Sequence, residues 1–351
     1  MSVEKGTVMA ISKRVWDRHE TGGLTFTELG FGTAPLGNLY KSISDEEADA
    51  ILTRAWDAGI RYYDTAPLYG LGLSETRLNR FLRDKPRDEY VLSTKVGRLL
   101  RPCPPDARDG FGKWFDVPAR QEVYDYTYDG VMRSIEFSLE RLGQDRIDVL
   151  FGHDLDIPNH GSPDVLDAKL SEFLAGGHRA LVKLRDEGVI AAFGIGVNEW
   201  QPCQWLAERG DPDLFLLAGR YTLLEQEALQ TMLPLCEAKG IGIVIGGPYN
   251  SGILATGPVD GAFYNYDPAP PDILTRVRRI EEICQSHDVS LIEAAFHFPL
   301  LHPAVVSIIP GGQSRDEMAT NARLAASKVP DALWQALKDA GLMRADVPTG
   351  G

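Results

Sequence analysis

Residues 61–82 read RYYDTAPLYGLGLSETRLNRFL, a short apolar run that ends in Asp64, a turn that carries Tyr69, and a segment of helical period. The run GIRYYDTA is β-rich and bounded by Gly59 and Pro67, which marks a buried strand. In SETRLNRFL, Leu78, Phe81 and Leu82 fall on one helical face, and Ser74 is the expected N-cap. A strand ending in a carboxylate, followed by a phenol in the loop before a helix, is where an α/β protein places its chemistry.

The same alternation runs through the chain. Eight apolar runs read as strands: ELGFGTA, IRYYD, YVLSTK, IDVLFGH, IAAFGIG, LFLLAG, GIGIVIG and VVSIIPG. Between them lie segments with apolar residues three or four apart, several closed by glycine. Strands alternating with helices imply a parallel sheet, and eight of them imply a closed (β/α)8 TIM barrel. No composition shift divides the 351 residues, so one domain is expected over 1–351, with its core over about 24–327 and a last helix over about 329–341. Two long loops interrupt the pattern, 101–124 after the third strand and 248–271 after the seventh. Loops of that length serve as lids or binding loops.

A formal charge of −14 and a pI near 5.0 argue against nucleic acid or an anionic membrane surface as partner and favour a small molecule. Cys103, Cys203, Cys236 and Cys284 are scattered without a CxxC pair, which suits a reducing cytoplasm. No stretch approaches the ~18 apolar residues of a membrane helix, and the N-terminus lacks the apolar core of a signal peptide, so a cytoplasmic protein is expected.

Three neighbouring strands end on ionisable groups: Asp64, Lys95 and His153. A lone Asp is usually a cap, a lone Lys a solvated group and a lone His a satisfied core residue; three on adjacent staves, with Tyr69 in reach, converge on one rim. A phenol of pKa ~10 is a poor base near neutrality, and a lysine cation beside it favours the phenolate. Lys95 is therefore expected to tune Tyr69 downward, Asp64 to keep Lys95 charged, and His153 to orient a substrate oxygen. Such a site suits proton transfer at an oxygen while a cofactor exchanges hydride with the attached carbon. GFGTAPLG fails as a dinucleotide fingerprint because Pro35 stands at its third glycine, and His153 with Asp154 and Asp156 makes a poor metal set; no metal is expected. His297 and His302 read as structural.

LGFGTAPLG, YYDTAPLYG, STKVGR, LERLGQDRIDVLFGHD and VVSIIPGGQSRDEMATNAR together resemble the aldo-keto reductases along nearly the whole chain. The resemblance implies a (β/α)8 barrel that uses a nicotinamide dinucleotide, with a catalytic tetrad of Asp64, Tyr69, Lys95 and His153. It further implies cofactor contacts from Thr33, Asn198, Gly247, Tyr249, Ser251, Gly311, Gly312, Ser314, Glu317 and Asn321. NADP-using members hold the 2′-phosphate with a lysine and an arginine, where this chain has Gly311 and Glu317. A carboxylate repels a phosphate and accepts from a ribose hydroxyl, so NAD is expected in preference to NADP, although Arg315 lies close. The family's nicotinamide-stacking tyrosine is replaced by Gly246, leaving Tyr249 or the Arg220-Tyr221 pair to back the ring. The altered strand ends resemble members that oxidise an aldose such as L-fucose at its anomeric carbon to a lactone, or the internal hemiacetal of pyridoxal. Arg108, Trp114 and Phe115 in the first long loop, together with Arg220, are the expected substrate contacts, unless the aromatics only anchor the lid. Family members that act as nucleotide-sensing channel subunits supply a reading of another class.

Overall fold

The computed structural model describes residues 11–19 and 23–349. In chain order its strands are β1 (Lys13–Trp16), β2 (Leu24–Thr27), β3 (Phe31–Gly32), β4 (Tyr62–Asp64), β5 (Val91–Val96), β6 (Arg98–Pro102) and β7 (Arg120–Tyr124). There follow β8 (Val149–His153), β9 (Ala192–Val197), β10 (Leu214–Ala218), β11 (Gly242–Gly246), β12 (Phe263–Tyr264), β13 (Asp267–Pro268) and β14 (Val305–Ile309). Eight of them form one parallel sheet in the order β14-β11-β10-β9-β8-β5-β4-β3. The gap between its ends is bridged where Gly30 N–H donates to Ile308 O and Ile308 N–H donates to Glu28 O, each at 2.8 Å. Each of the eight apolar runs supplies one stave of this nearly closed barrel.

Alternation along each stave sorts the side chains. Tyr62, Val91, Val149, Phe151, Ala192, Leu214, Leu216 and Val244 fill the barrel with Trp16 and Phe26. Their neighbours Tyr63, Leu92, Leu150, Phe193, Phe215 and Ile243 pack outward under the helices. Both faces are buried, which is why these strands read as continuous apolar runs. The antiparallel hairpin β1-β2 closes the lower end: Phe26 meets Tyr62 edge-on at 4.9 Å, and Trp16 Nε1 donates to Gly240 O at 3.0 Å. Each large ring so buried contributes roughly 1.5–3 kcal/mol.

Some local expectations need correction. Ser74 is not a cap; the N-cap of the helix Leu73–Leu82 is Gly72, two residues earlier, whose φ of 96° favours glycine. Ser74 is buried instead, donating to Thr33 O at 2.9 Å and sharing hydrogen bonds with the hydroxyls of Thr33 and Thr65. The loop after the third stave is largely an antiparallel hairpin, β6-β7, and the loop after the seventh carries the short pair β12-β13. The segment 169–188 is helical but carries a π-turn at Phe173–Gly177, where a Cβ on Gly176 would meet Tyr128 N at 2.7 Å. The segment 226–240, whose apolar spacing also reads as a helix, becomes one only at Met232, after a single tight turn at Glu227–Gln230. The last helix is Asp331–Asp339, and among the described residues no helix is long and apolar enough to cross a membrane.

The β6-β7 hairpin springs directly from the rim through Gly97, whose φ is 95° and whose added Cβ would lie 2.3 Å from the Tyr126 ring. Gly97→Ala should therefore cost at least about 2 kcal/mol, combining a disallowed backbone with overpacking. Urea unfolding measures it, and an unchanged midpoint would contradict this reading of the hinge.

Candidate active site

Beyond the apolar layers, the same alternation brings Asp64, Lys95 and His153 to the inner side of the upper rim on β4, β5 and β8, which pair consecutively. Lys95 Nζ donates to Asp64 Oδ2 at 2.6 Å and to Thr65 O at 2.8 Å, and Ser93 Oγ donates to Asp64 Oδ1 at 2.7 Å. The ammonium lies 4.7 Å from the Tyr69 ring centroid, and the Tyr69 and His153 rings stand edge to face at 6.0 Å. The four groups reached from the strand ends thus meet in one place. Gly196 and Ala218 on the next staves, with Leu216, line a cleft of about 560 Å³ that is also lined by Tyr69, Lys95 and His153.

Burial dominates the electrostatics. It pushes Asp64 up against the pull of Lys95 and the Ser93 hydroxyl. It works against the charge on Lys95, but Asp64 and Tyr69 outweigh it and the net direction is upward, so the pair is held as ions. For Tyr69 burial wins over the opposing influence of Lys95 and carries the phenol to about 12. This corrects the expectation of a net lowering: the lysine acts in the expected sense but only limits the rise. Burial, followed by the cations of Arg98, Lys95 and Lys113, drives His153 well below the usual imidazole range. The 3.4 Å approach of His153 Nε2 to Asp154 Oδ2 is therefore no ion pair, and Nδ1 is buried without a partner.

The lid contributes unevenly. Trp114 is buried against Tyr69 at a ring separation of 6.3 Å and lines the cleft with Lys113. Phe115 does not line the cleft; it is tied to Asn38 through both backbone groups and is 39% exposed. Arg108 likewise stacks on Phe111, 4.1 Å from its centroid, outside the cleft. Arg220 reaches the cleft, with Nη1 donating to Asn265 Oδ1 at 2.7 Å. The Arg98 guanidinium, which the sequence reading passed over, sits in the cleft wall between Glu122 and Asp154 and donates to Asn159 Oδ1 at 2.8 Å. Its signal was its place immediately after the stave that carries Lys95.

Asn198 is at the cleft with its amide oriented: backbone N–H and Nδ2 both donate to Asp156 Oδ2, at 2.8 and 3.1 Å. Its Oδ1 is left facing the Tyr266 hydroxyl, 3.5 Å away. The loop after β11 presents Gly247 with φ 54°, then Tyr249, whose hydroxyl donates to Asn321 Oδ1 at 2.9 Å, and Ser251, whose Oγ accepts from Tyr266 N–H at 2.9 Å. Thr33 is fully buried, its hydroxyl donating to Asp64 O at 2.8 Å, so it props the rim rather than facing the cleft. Tyr221 packs in the core against Phe298 and His302 and cannot back a ring in the cleft; Tyr249 is held by Asn321. Ser314 caps the helix Arg315–Ala325 by accepting from Glu317 N–H at 3.2 Å, and the Glu317 carboxylate accepts from Gln313 N–H, just before the cap, at 2.8 Å. Gly311 and Gly312 precede it, and a Cβ on Gly312 would meet Met318 Sδ at 2.4 Å. His297 Nε2 lies 2.9 Å from Leu324 O, and His302 Nδ1 accepts from Ala304 N–H, both in structural roles.

The small residues Gly196 and Ala218 in the cleft, the oriented amide of Asn198 and, at a separate cavity, the capped N-terminus of the helix Arg315–Ala325 suit the parts of a nicotinamide dinucleotide. Residues 28–341 match the Aldo/keto reductase family. The chain belongs to that family. This aldo-keto reductase is similar to D-threo-aldose 1-dehydrogenase of a Pseudomonas species, at 46% identity over 92% of this chain and 96% of the relative. It is also similar to pyridoxal 4-dehydrogenase of Microbacterium luteolum, at 44% identity with the same coverage of each. Among solved structures, an aldo-keto reductase from Bacillus halodurans superposes with a TM-score of 0.73 at 25% identity, over 96% of this chain and 98% of its own.

A phenol raised by burial and restrained by Lys95 has a clear pH signature if it must be deprotonated to act. Alcohol oxidation should climb with pH from neutrality into the alkaline range, and Lys95→Met should shift that climb to higher pH while lowering the rate at neutrality. The variant also leaves Asp64 unpaired, at a cost of roughly 3–5 kcal/mol, so its melting temperature should fall. Rate profiles that coincide for the two proteins would remove Lys95 from the proton's path.

Proposed function

We propose that this aldo-keto reductase is a dehydrogenase that oxidises the anomeric hydroxyl of an aldose of the L-fucose type to a lactone, with NAD as hydride acceptor and Tyr69 as the base. The observation that carries the reading is the meeting of the Tyr69 phenol, the Asp64–Lys95 ion pair and a neutral His153 on one wall of a cleft that Gly196 and Ala218 keep open on the adjoining staves. The aldose dehydrogenase at 46% identity supports the substrate class.

The roles follow from the geometry. His153, kept neutral, offers a hydrogen bond that orients the reacting oxygen without competing for its proton. Tyr69 takes the hydroxyl proton, and Lys95 stabilises the phenolate needed for that transfer. Asp64 holds the ammonium at that station, and Trp114 covers the phenol and keeps water from it. Asn198 would hold the nicotinamide carboxamide and the loop at Gly247, Tyr249 and Ser251 the phosphates. Gly311, Gly312, Ser314 and Asn321 would hold the adenosine end. When bound, NAD accepts the hydride from the anomeric carbon, and its positive ring favours the phenolate.

For NAD over NADP the support is the charge at the helix Arg315–Ala325. A cavity of about 460 Å³ there is lined by Lys41 and Arg315 but also by Glu46, Glu47 and Asp316, with Glu317 drawn into the cap. Acidic groups outnumber basic ones where a 2′-phosphate would sit. The catalytic efficiency with NAD should exceed that with NADP by about tenfold or more, a difference of roughly 1.4 kcal/mol in binding. A clear preference for NADP would overturn this part of the reading.

A second reading, oxidation of the pyridoxal hemiacetal to its lactone, is favoured by the relative at 44% identity. A panel of L-fucose, D-arabinose, L-galactose, D-glucose and pyridoxal, followed by NADH formation and by identification of the product, separates the two. Turnover of the sugars to lactones is the expected result. Turnover of pyridoxal alone would replace the aldose reading.

A further inference from the structure

The cleft wall beside His153 holds a group that the proton transfer does not use. Asp154 follows His153 directly and adopts a left-handed backbone, φ 55°, its N–H donating to Gly196 O at 2.8 Å. A non-glycine residue there is strained by about 1–3 kcal/mol, so the surroundings must impose the conformation. They do so through Arg98, which is 6% exposed, stacks on Tyr124 at 4.7 Å and is ion-paired to Asp154 on one side and Glu122 on the other. Asn159 takes a further Arg98 proton at 2.8 Å, and the guanidinium Nε is buried without a partner. The carboxylate of Asp154 is thus clamped on Oδ2, while Oδ1 receives no hydrogen bond from any described residue.

The position of that carboxylate relative to the reacting oxygen is fixed. Asp154 Oδ2 lies 3.4 Å from His153 Nε2. A substrate oxygen held by His153 therefore has the Asp154 carboxylate as a neighbour. Vicinal ring oxygens of a sugar lie about one hydrogen-bond length apart, so the hydroxyl next to the reacting one falls within reach of Asp154. A clamped carboxylate with a free oxygen is an acceptor that costs little to organise and strongly favours a hydroxyl donor. Burial raises Asp154 to about 6, with Arg98 opposing, which leaves it ionised at neutral pH and able only to accept.

We propose that Asp154, positioned by Arg98, binds the hydroxyl on the carbon adjacent to the reacting one, so that the enzyme selects cyclic hemiacetals with a vicinal 1,2-diol. The inference rests on the aldose reading and narrows it. Sugars with a free 2-hydroxyl satisfy the site. In the pyridoxal hemiacetal the adjacent carbon belongs to the aromatic ring and bears no hydroxyl, so Asp154 would be desolvated without return. Asp154 touches the substrate; Arg98 acts through it.

The test compares L-fucose with its 2-deoxy analogue in the unaltered enzyme and in Asp154→Asn, with NADH binding followed by fluorescence to show that the variant retains its fold. The unaltered enzyme should prefer L-fucose by about tenfold or more in kcat/KM, the worth of a hydrogen bond to a charged group. Asp154→Asn should abolish most of that preference, lowering the efficiency for L-fucose while leaving the 2-deoxy sugar within about threefold. Because the substrate comparison needs no variant, a folding defect cannot mask its outcome. If the unaltered enzyme serves both sugars equally, or if the variant slows both alike, the inference falls and the aldose reading stands. If no aldose is oxidised at all, both fall.

Discussion

The contact on which the upper half of the barrel depends is the ion pair between Asp64 and Lys95, 2.6 Å apart and almost fully shielded from water. Two charges in that position are expensive to desolvate and hold together only when every remaining donor and acceptor is met. Here the second ammonium bond goes to Thr65 O, the second carboxylate oxygen to Ser93, and the strand end is steadied by the Thr33 hydroxyl and Ser74. The pair is assembled from two adjacent staves, so its geometry depends on the pairing of β4 with β5. The lysine stays charged beside a phenol that burial has raised, and both effects are strong because the barrel encloses the two groups.

The barrel divides its rim by side-chain size. At or next to their upper ends, staves β4, β5 and β8 carry Asp64, Lys95 and His153, and β9, β10 and β11 carry Gly196, Ala218 and Gly246. One half supplies charge and the other supplies room. The β6-β7 hairpin then brings Trp114 over Tyr69 and Arg98 against Asp154, so the two walls of the cleft are joined by a polar chain running from Glu122 through Arg98, Asn159 and Asp156 to Asn198. The orientation of the Asn198 amide is set at the far end of that chain.

The staves and the ionisable groups at their ends were legible because a period of two and a hard stop at Asp64, Lys95 and His153 are local facts. The helices were legible from their apolar spacing, apart from the late start at Met232 and the π-turn at Phe173–Gly177, the latter beside a close approach by Tyr128 that no local pattern encodes. Ser74 has the chemistry of a cap, yet the glycine two residues earlier can turn the chain, and tertiary packing claims the hydroxyl. Phe115 and Tyr221 share composition with true cleft residues and differ only in direction, which the fold decides. The net rise of the Tyr69 phenol was missed for a related reason: Lys95 was visible as a neighbour, while the burial that outweighs it belongs to the assembled lid.

The measurement that bears most directly on this account is a single turnover of enzyme-bound NAD with L-fucose, compared between the unaltered protein and Tyr69→Phe, with NAD binding determined separately. Loss of the proton acceptor should slow the hydride step by roughly 100-fold to 10,000-fold while cofactor affinity stays the same. A Tyr69→Phe protein that reduces its bound NAD as fast as the parent would contradict the account, because the ion pair beneath the phenol would then serve the fold and not the reaction.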